Sequence, residues 1–257
     1  MPERFRGKVV VVTGGARGIG RAAAVRFGSE GARVVVVDLP GSELKDSVAA
    51  VEHAGGQATA VEADVTRAAD VERYVAAATE RFGGIDCFFS NAGVLGVVRP
   101  LLEYPEDTFD QVLAVNVKSV WLGLKLVAPA IIRRGGGAIV NTASIAGLRA
   151  TPGLVAYTAS KHAVIGLTRT ASIELVRHGV RVNAVCPAPI ETPMARLLDA
   201  GFNAQDPQAA HRRFVARIPM GRYGEPAEVA ALVAFLCSDD ASYVNGGIYT
   251  VDGGAMS

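Results

Sequence analysis

The chain has 257 residues, half of them hydrophobic and a fifth charged, a composition that builds a large core within a single α/β domain and excludes disorder. Its net charge is +1, with no block of like charges, so it carries no electrostatic footprint for nucleic acid or an anionic membrane. Residues 1–8 are charged and lack a signal-peptide apolar stretch; the longest candidate span, at 227–237, carries Glu228 and falls short of the ~18 apolar residues a membrane needs.

Residues 9–13 form an unbroken β-branched run, the pattern of a parallel strand buried on both faces. A glycine-rich stretch, 14–20, follows and leads into a helix through Phe27. A second buried run, 34–37, ends in Asp38. Helix and strand then alternate: 43–54 and 57–61, 69–82 and 85–89. One long helix is expected over 106–134, bent or broken near Pro129, then a strand at 139–142, a helix at 155–177 and a strand at 180–185. Periodicity fades over 187–222, which holds prolines at 187, 189, 193, 207 and 219. A helix at 226–237 and a strand at 247–251 finish the chain. The three cysteines, Cys87, Cys186 and Cys237, are far apart and odd in number; they suit neither a disulfide framework nor a metal site, and a reducing, cytoplasmic setting is expected.

This alternation, without a linker or an internal repeat, predicts one domain over 1–257: a doubly wound parallel sheet of about seven strands with helices on both faces. Ligands of such sheets sit beyond the carboxyl ends of the strands. Asp38, Asp64, Asn91, Ser144 and Pro187 all fall at or just past a strand end, so they are candidates to surround one cleft.

Gly14, Gly18 and Gly20 lie between a strand and a helix. Glycines there let the backbone approach a pyrophosphate, whose charge a helix N-terminus stabilises. An ordinary tight turn uses the same residues, but the strand–loop–helix context favours a nucleotide. Asp38, about 20 residues on, suits a ribose hydroxyl and would repel a 2′-phosphate by roughly 4 kcal/mol at 4 Å and intermediate dielectric. NAD is therefore expected rather than NADP, although Arg17, a phosphate ligand or a solvated surface residue, would partly offset the repulsion.

Tyr157 and Lys161 are four apart on a predicted helix and share one face. A nearby ammonium favours the phenolate, and a shift of about 1 to 3 units would let the phenol trade protons near neutral pH. The same spacing is common on surface helices, so the pair acquires meaning from its company.

With these residues in hand, the sequence resembles the short-chain dehydrogenase/reductases over essentially its whole length. Thr13-Gly14-(x)3-Gly18-Ile19-Gly20 is similar to their nucleotide loop, Asp64-Val65 to the pair that meets the adenine, and Asn91-Ala92-Gly93 to the motif supporting the central sheet. Asn116, Ser144, Tyr157 and Lys161 fall where the family keeps its catalytic tetrad. The resemblance implies hydride transfer between a nicotinamide and a carbinol carbon, with Tyr157 as general acid/base. Lys161 would lower the Tyr157 pKa and hold the nicotinamide ribose. Ser144 would position the substrate oxygen, and Asn116 would anchor a water linking Lys161 to solvent. Pro187, Ile190 and Thr192 would hold the carboxamide. The expected ligands are thus NAD and a small-molecule alcohol or ketone, with a 3-oxoacyl thioester reductase or a non-catalytic NAD-sensing protein as the other readings. A homotetramer is implied too, packed through the helix around Trp121 and the Tyr157 helix.

One residue departs from the family's pattern: Ala188 stands where Pro-Gly is usual. A positive φ there would strain an alanine by about 1 kcal/mol; otherwise its methyl narrows the pocket. Leu95, Ile145, Leu148 and Pro189, with Ser144 and Ala188, would make that pocket mostly apolar. The span 190–222 resembles the family's lid, covered by Leu197, Leu198, Phe202 and Phe214. Arg149 and His211 have no identifiable partner and read as surface residues.

Overall fold

The computed structural model describes residues 3–257. Seven strands, β1 (Val9–Thr13), β2 (Arg33–Asp38), β3 (Gln57–Glu62), β4 (Cys87–Ser90), β5 (Gly137–Thr142), β6 (Val180–Pro187) and β7 (Ile248–Val251), form one sheet in the order 3-2-1-4-5-6-7. Every pairing is parallel. The doubly wound sheet expected from the sequence is the fold observed. Its order reverses between β1 and β4, and the crevice past that switch point is where such sheets take ligands.

Successive strand residues point to opposite faces, and β1 divides accordingly. Val9 and Val11 join Val35, Val37, Phe88 and Ile139 in one core, under α3 (Ala68–Phe82), α5 (Ser119–Arg133) and α6 (Val155–Leu175). Val10 and Val12 join Val34, Val36, Phe89 and Val140 in the other, under α1 (Gly18–Ser29), α2 (Leu44–His53) and α9 (Pro226–Cys237). Burial on both faces is why these strands read as continuous β-branched runs rather than alternating ones.

Two elements differ from the expectation. The helix over 106–134 is not broken at Pro129, which lies inside α5. It is instead irregular where α4 (Glu106–Leu113) passes through a π-helical turn, Ala114–Lys118, into α5. The wider turn carries Asn116, and such turns concentrate at functional sites. Among the described residues this continuous helix, Glu106–Arg133, is long and apolar enough to cross a membrane, contrary to the expectation that the 227–237 stretch was the longest candidate; more than half of its most apolar part is buried inside the protein, as in a core helix.

Residues 187–222 are likewise more ordered than their faint periodicity suggested. They hold α7 (Pro193–Phe202) and α8 (Pro207–Val215). Two of their five prolines, Pro193 and Pro207, occupy the first helical turn, where no N–H is needed, each behind a capping side chain. Thr192 Oγ1 accepts from Ala195 N at 3.3 Å, and Asp206 Oδ1 from Ala209 N at 2.9 Å. The two ends of this segment are tied together: Gly224 N donates to Pro189 O (3.1 Å) and Glu191 N to Gly224 O (2.8 Å).

Candidate active site

The carboxyl ends of β1, β4 and β5 are joined by one amide. Asn91 Nδ2 donates to the carbonyl oxygens of Thr13 (3.1 Å) and Gly14 (3.3 Å), while its Oδ1 accepts from Thr142 Oγ1 (3.2 Å). Thr13 Oγ1 in turn accepts from the backbone of Asn91 and Ala92. This lattice holds the glycine loop and the end of β5 in fixed register.

Beside it, the four residues of the predicted tetrad come together. Lys161 is buried at 3% exposure, and its ammonium donates to Thr142 O at 2.8 Å while lying 5.5 Å from the centroid of the Tyr157 ring. Ser144 opens a short 3₁₀ turn, Ile145–Gly147, with Oγ accepting from Ala146 N and donating to Pro187 O at 3.5 Å, and its hydroxyl acts on the Tyr157 phenol. Gly147 brings that turn onto α6: a β-carbon there would lie 2.7 Å from Lys161 O. Asn116 is 1% exposed; its amide donates to Val94 O (2.9 Å) and Ser160 Oγ (3.0 Å) and accepts from Val94 N (2.8 Å). Both amide protons are therefore spent, and Ser160 passes the chain on to Tyr157 O at 2.7 Å. The sequence reading missed Thr142, Gly147 and Ser160, whose signal is only their place beside the tetrad.

The electrostatics correct one expectation. Burial pushes the Tyr157 phenol above its ordinary value, while the Ser144 hydroxyl pulls it down. Lys161 itself is lowered to about 8 by burial. An ammonium stripped of water loses part of its own proton affinity and faces the ring, so desolvation outweighs the charge pairing that the spacing implied.

The glycine loop fits a dinucleotide. Helix α1 starts at Gly18, whose φ is 55°. Its N-cap, Arg17, provides no capping side chain, and the first turn holds no acid, so the amides at this positive helix end are left for an anion. At Gly20 a β-carbon would lie 2.0 Å from Gly14 O; only glycine lets the helix come so close to the loop. Asp38 Oδ2 accepts from Ala16 N (2.9 Å), and Oδ1 from Leu39 N (2.8 Å), which sets the carboxylate against the loop. Thr192 meets the loop from the far side: its methyl would be 3.1 Å from a β-carbon at Gly18. Asp64, by contrast, is turned to its own loop, accepting from Thr66 N and Oγ1, with Val65 buried behind it.

Around the predicted pocket, Leu95, Ile145, Ala188 and Ile190 are buried and Pro189 is half-buried, whereas Leu148 and Leu197 are exposed. Every residue with positive φ among those described is a glycine, so Ala188 is unstrained and only the narrowing role of its methyl survives. Phe202 and Phe214 pack edge to face across α7 and α8 at 5.1 Å. Arg149 and His211, read as partnerless, both have partners. Arg149 donates to Ala255 O at 3.1 Å. His211 Nδ1 is 3.3 Å from Asp199 Oδ2, whose other oxygen accepts from Tyr223 Oη at 2.6 Å. These three, drawn from α7, α8 and the segment before α9, form a polar centre inside the lid; Asp199 and Tyr223 are buried.

The chain is similar to known proteins over nearly its whole length. The family model described as enoyl-(acyl carrier protein) reductase matches residues 14–256. Levodione reductase of Leifsonia aquatica is 44% identical over 98% of this chain and 95% of its own. Cyclohexanol dehydrogenase of Acinetobacter sp. is 39% identical over 100% and 98%. The crystal structure of an NAD+-bound xylitol dehydrogenase superposes with a TM-score of 0.92 at 36% identity, over 97% of this chain and 99% of the other.

Proposed function

The chain belongs to the short-chain dehydrogenase/reductase family of oxidoreductases, and from that premise we propose that it is an NAD-dependent enzyme. It transfers hydride between the nicotinamide and a secondary alcohol or ketone, cyclic or aromatic. The observation that carries this reading is a lysine held 3% exposed beside Tyr157, with the Ser144 hydroxyl acting on the same phenol. Burying an ammonium is costly, and a protein that only binds NAD has no use for the arrangement.

When bound, the nicotinamide supplies or accepts the hydride. Gly14, Arg17, Gly18, Ile19 and Gly20 would hold the pyrophosphate, Asp38 the adenosine ribose, Asp64 and Val65 the adenine. Asn91, Ala92 and Gly93 would support the central part of the site, Lys161 the nicotinamide ribose, and Pro187, Ile190 and Thr192 the carboxamide. Tyr157 holds the proton that moves to or from the substrate oxygen. Burial keeps the phenol protonated, the form that donates in ketone reduction; in the reverse direction the charge of Lys161 favours the phenolate. Ser144 donates to the substrate oxygen and fixes its position. With both amide protons of Asn116 engaged, a relay water would rest on backbone of the π-helical turn rather than on the side chain. Exposed Trp121 on α5 and Ile173 on α6 offer apolar surface for homotetramer assembly.

Asp38 supports NAD over NADP by repulsion of a 2′-phosphate. The 3-oxoacyl-[acyl-carrier-protein] reductase of Thermotoga maritima, 38% identical over 98% of this chain, favours a 3-oxoacyl thioester as second reading, but Asp38 and the near-zero net charge oppose an NADPH enzyme that docks an acidic carrier. The test is NAD reduction, followed by NADH absorbance, over a panel of secondary alcohols. Turnover of cyclic or aromatic members with NAD supports the proposal; tight NAD binding without turnover of any member favours a sensing role instead.

A further inference from the structure

The charges of the lid are uneven. Residues 190–222 hold five arginines and three acidic residues, in a chain whose total is +1. Two of the acids are engaged, Asp199 by Tyr223 and His211 and Asp206 by Arg212, and Arg222 pairs with Glu228. Among the described residues, Arg213 and Arg217 enter no ion pair or side-chain hydrogen bond. They are four apart, on the last turn of α8 and the turn that follows, so they face the same side.

Both arginines line a cleft of about 320 Å³, which also takes in Thr151, Pro152, Phe202 and Phe214. One wall is thus the loop that runs from Ser144 to Tyr157, and the other is the pair of lid helices. Its size is that of a site for a single-ring ligand. The aromatic pair offers apolar surface, while the guanidinium groups offer planar donors that match a carboxylate or sulfonate. A basic residue at the end of α8 is favoured by the helix dipole, but that accounts neither for Arg217, past the helix end, nor for the aromatic surface beside it.

We propose that this cleft takes the anionic end of the substrate, so that the preferred substrates are ring-sized alcohols or ketones carrying a carboxylate or sulfonate. The identity of the reacting carbon rests on the oxidoreductase reading above; the recognition of the anion does not. Because both arginines are exposed, the preference weakens as salt rises.

The test compares 4-acetylbenzoate with its neutral isostere 4-acetylbenzamide, by calorimetry on the full chain saturated with NAD and by kcat/KM with NADH. In the wild-type protein the anion binds at least tenfold more tightly than the amide at low salt. The Arg213→Ala/Arg217→Ala double variant brings that ratio to parity, mainly through KM, and the corresponding double lysine variant keeps part of it. Equal affinities in the wild type, no anion binding at millimolar concentration, or a preference that survives the double alanine variant would overturn the proposal. Anion-selective binding without turnover of either ketone supports the cleft and refutes the oxidoreductase reading; turnover without anion preference does the reverse.

Discussion

Lys161 offers the sharpest quantitative test, because its burial has a pH signature. Replacement by methionine keeps the length of the side chain and removes the charge. Burial lowers the lysine from 10.5 to about 8; at about 1.4 kcal/mol per unit, keeping it charged costs the folded protein roughly 3 kcal/mol. The lowered pKa means that the unfolded chain binds more protons above about pH 8. The penalty is therefore full below that pH and is released as pH rises toward 10.5, so wild-type stability gains over this window. Lys161→Met has no such penalty, but it leaves Thr142 O without the donor now at 2.8 Å, an offset of about 1–3 kcal/mol that pH does not change. The two effects nearly cancel at neutral pH and separate above it. Urea unfolding of both proteins without cofactor, from about pH 7 to 10, should show the wild type gaining 2–3 kcal/mol on the variant across that interval. Parallel curves, or a variant that gains on the wild type, would refute the assignment of a desolvated ammonium.

Four further outcomes are expected. Tyr157→Phe should lower kcat by at least ~100-fold with NAD affinity by fluorescence titration nearly unchanged; substantial residual turnover would remove the acid/base role. Asp38→Ala should reduce the preference for NAD over NADP in kcat/KM by between about tenfold and a thousandfold, the range set by a charge pair worth up to ~4 kcal/mol, and an unmoved ratio would place discrimination elsewhere. Tyr223→Phe strips Asp199 of its closest partner, so a loss of about 1–3 kcal/mol, seen as a Tm drop of roughly 2–10 °C, should accompany a raised substrate KM; an unchanged melting curve would deny the lid its polar centre. Ala188→Gly removes a methyl from an unstrained backbone and should keep turnover while altering the order of preference across a ketone panel; identical kinetics across the panel would end that role.

The strands were legible because burial on both faces leaves a purely local trace: β1 and β2 are runs of valine whichever helices cover them. Tyr157 and Lys161 were legible because helix geometry places residues four apart on one face, and the glycine loop because its backbone admits no side chain at Gly20. The helices of the lid were not legible from periodicity, yet their start signals, Thr192-Pro193 and Asp206-Pro207, stood in the sequence as local capping chemistry.

What the tertiary structure alone decided is what depends on elements far apart in the chain. The balance of water and charge at Tyr157 is one such property: spacing predicted a phenol lowered by Lys161, and burial by neighbouring elements raised it instead. The partners of His211 and Asn116 are others, since Tyr223 and Val94 reach them only through the fold. So is the cleft that sets Arg213 and Arg217 opposite the loop between Ser144 and Tyr157. Sequence by itself determined the residue types, the local geometry and the order of the elements; desolvation and long-range pairing exist only once the sheet, its helices and the lid have closed on one another.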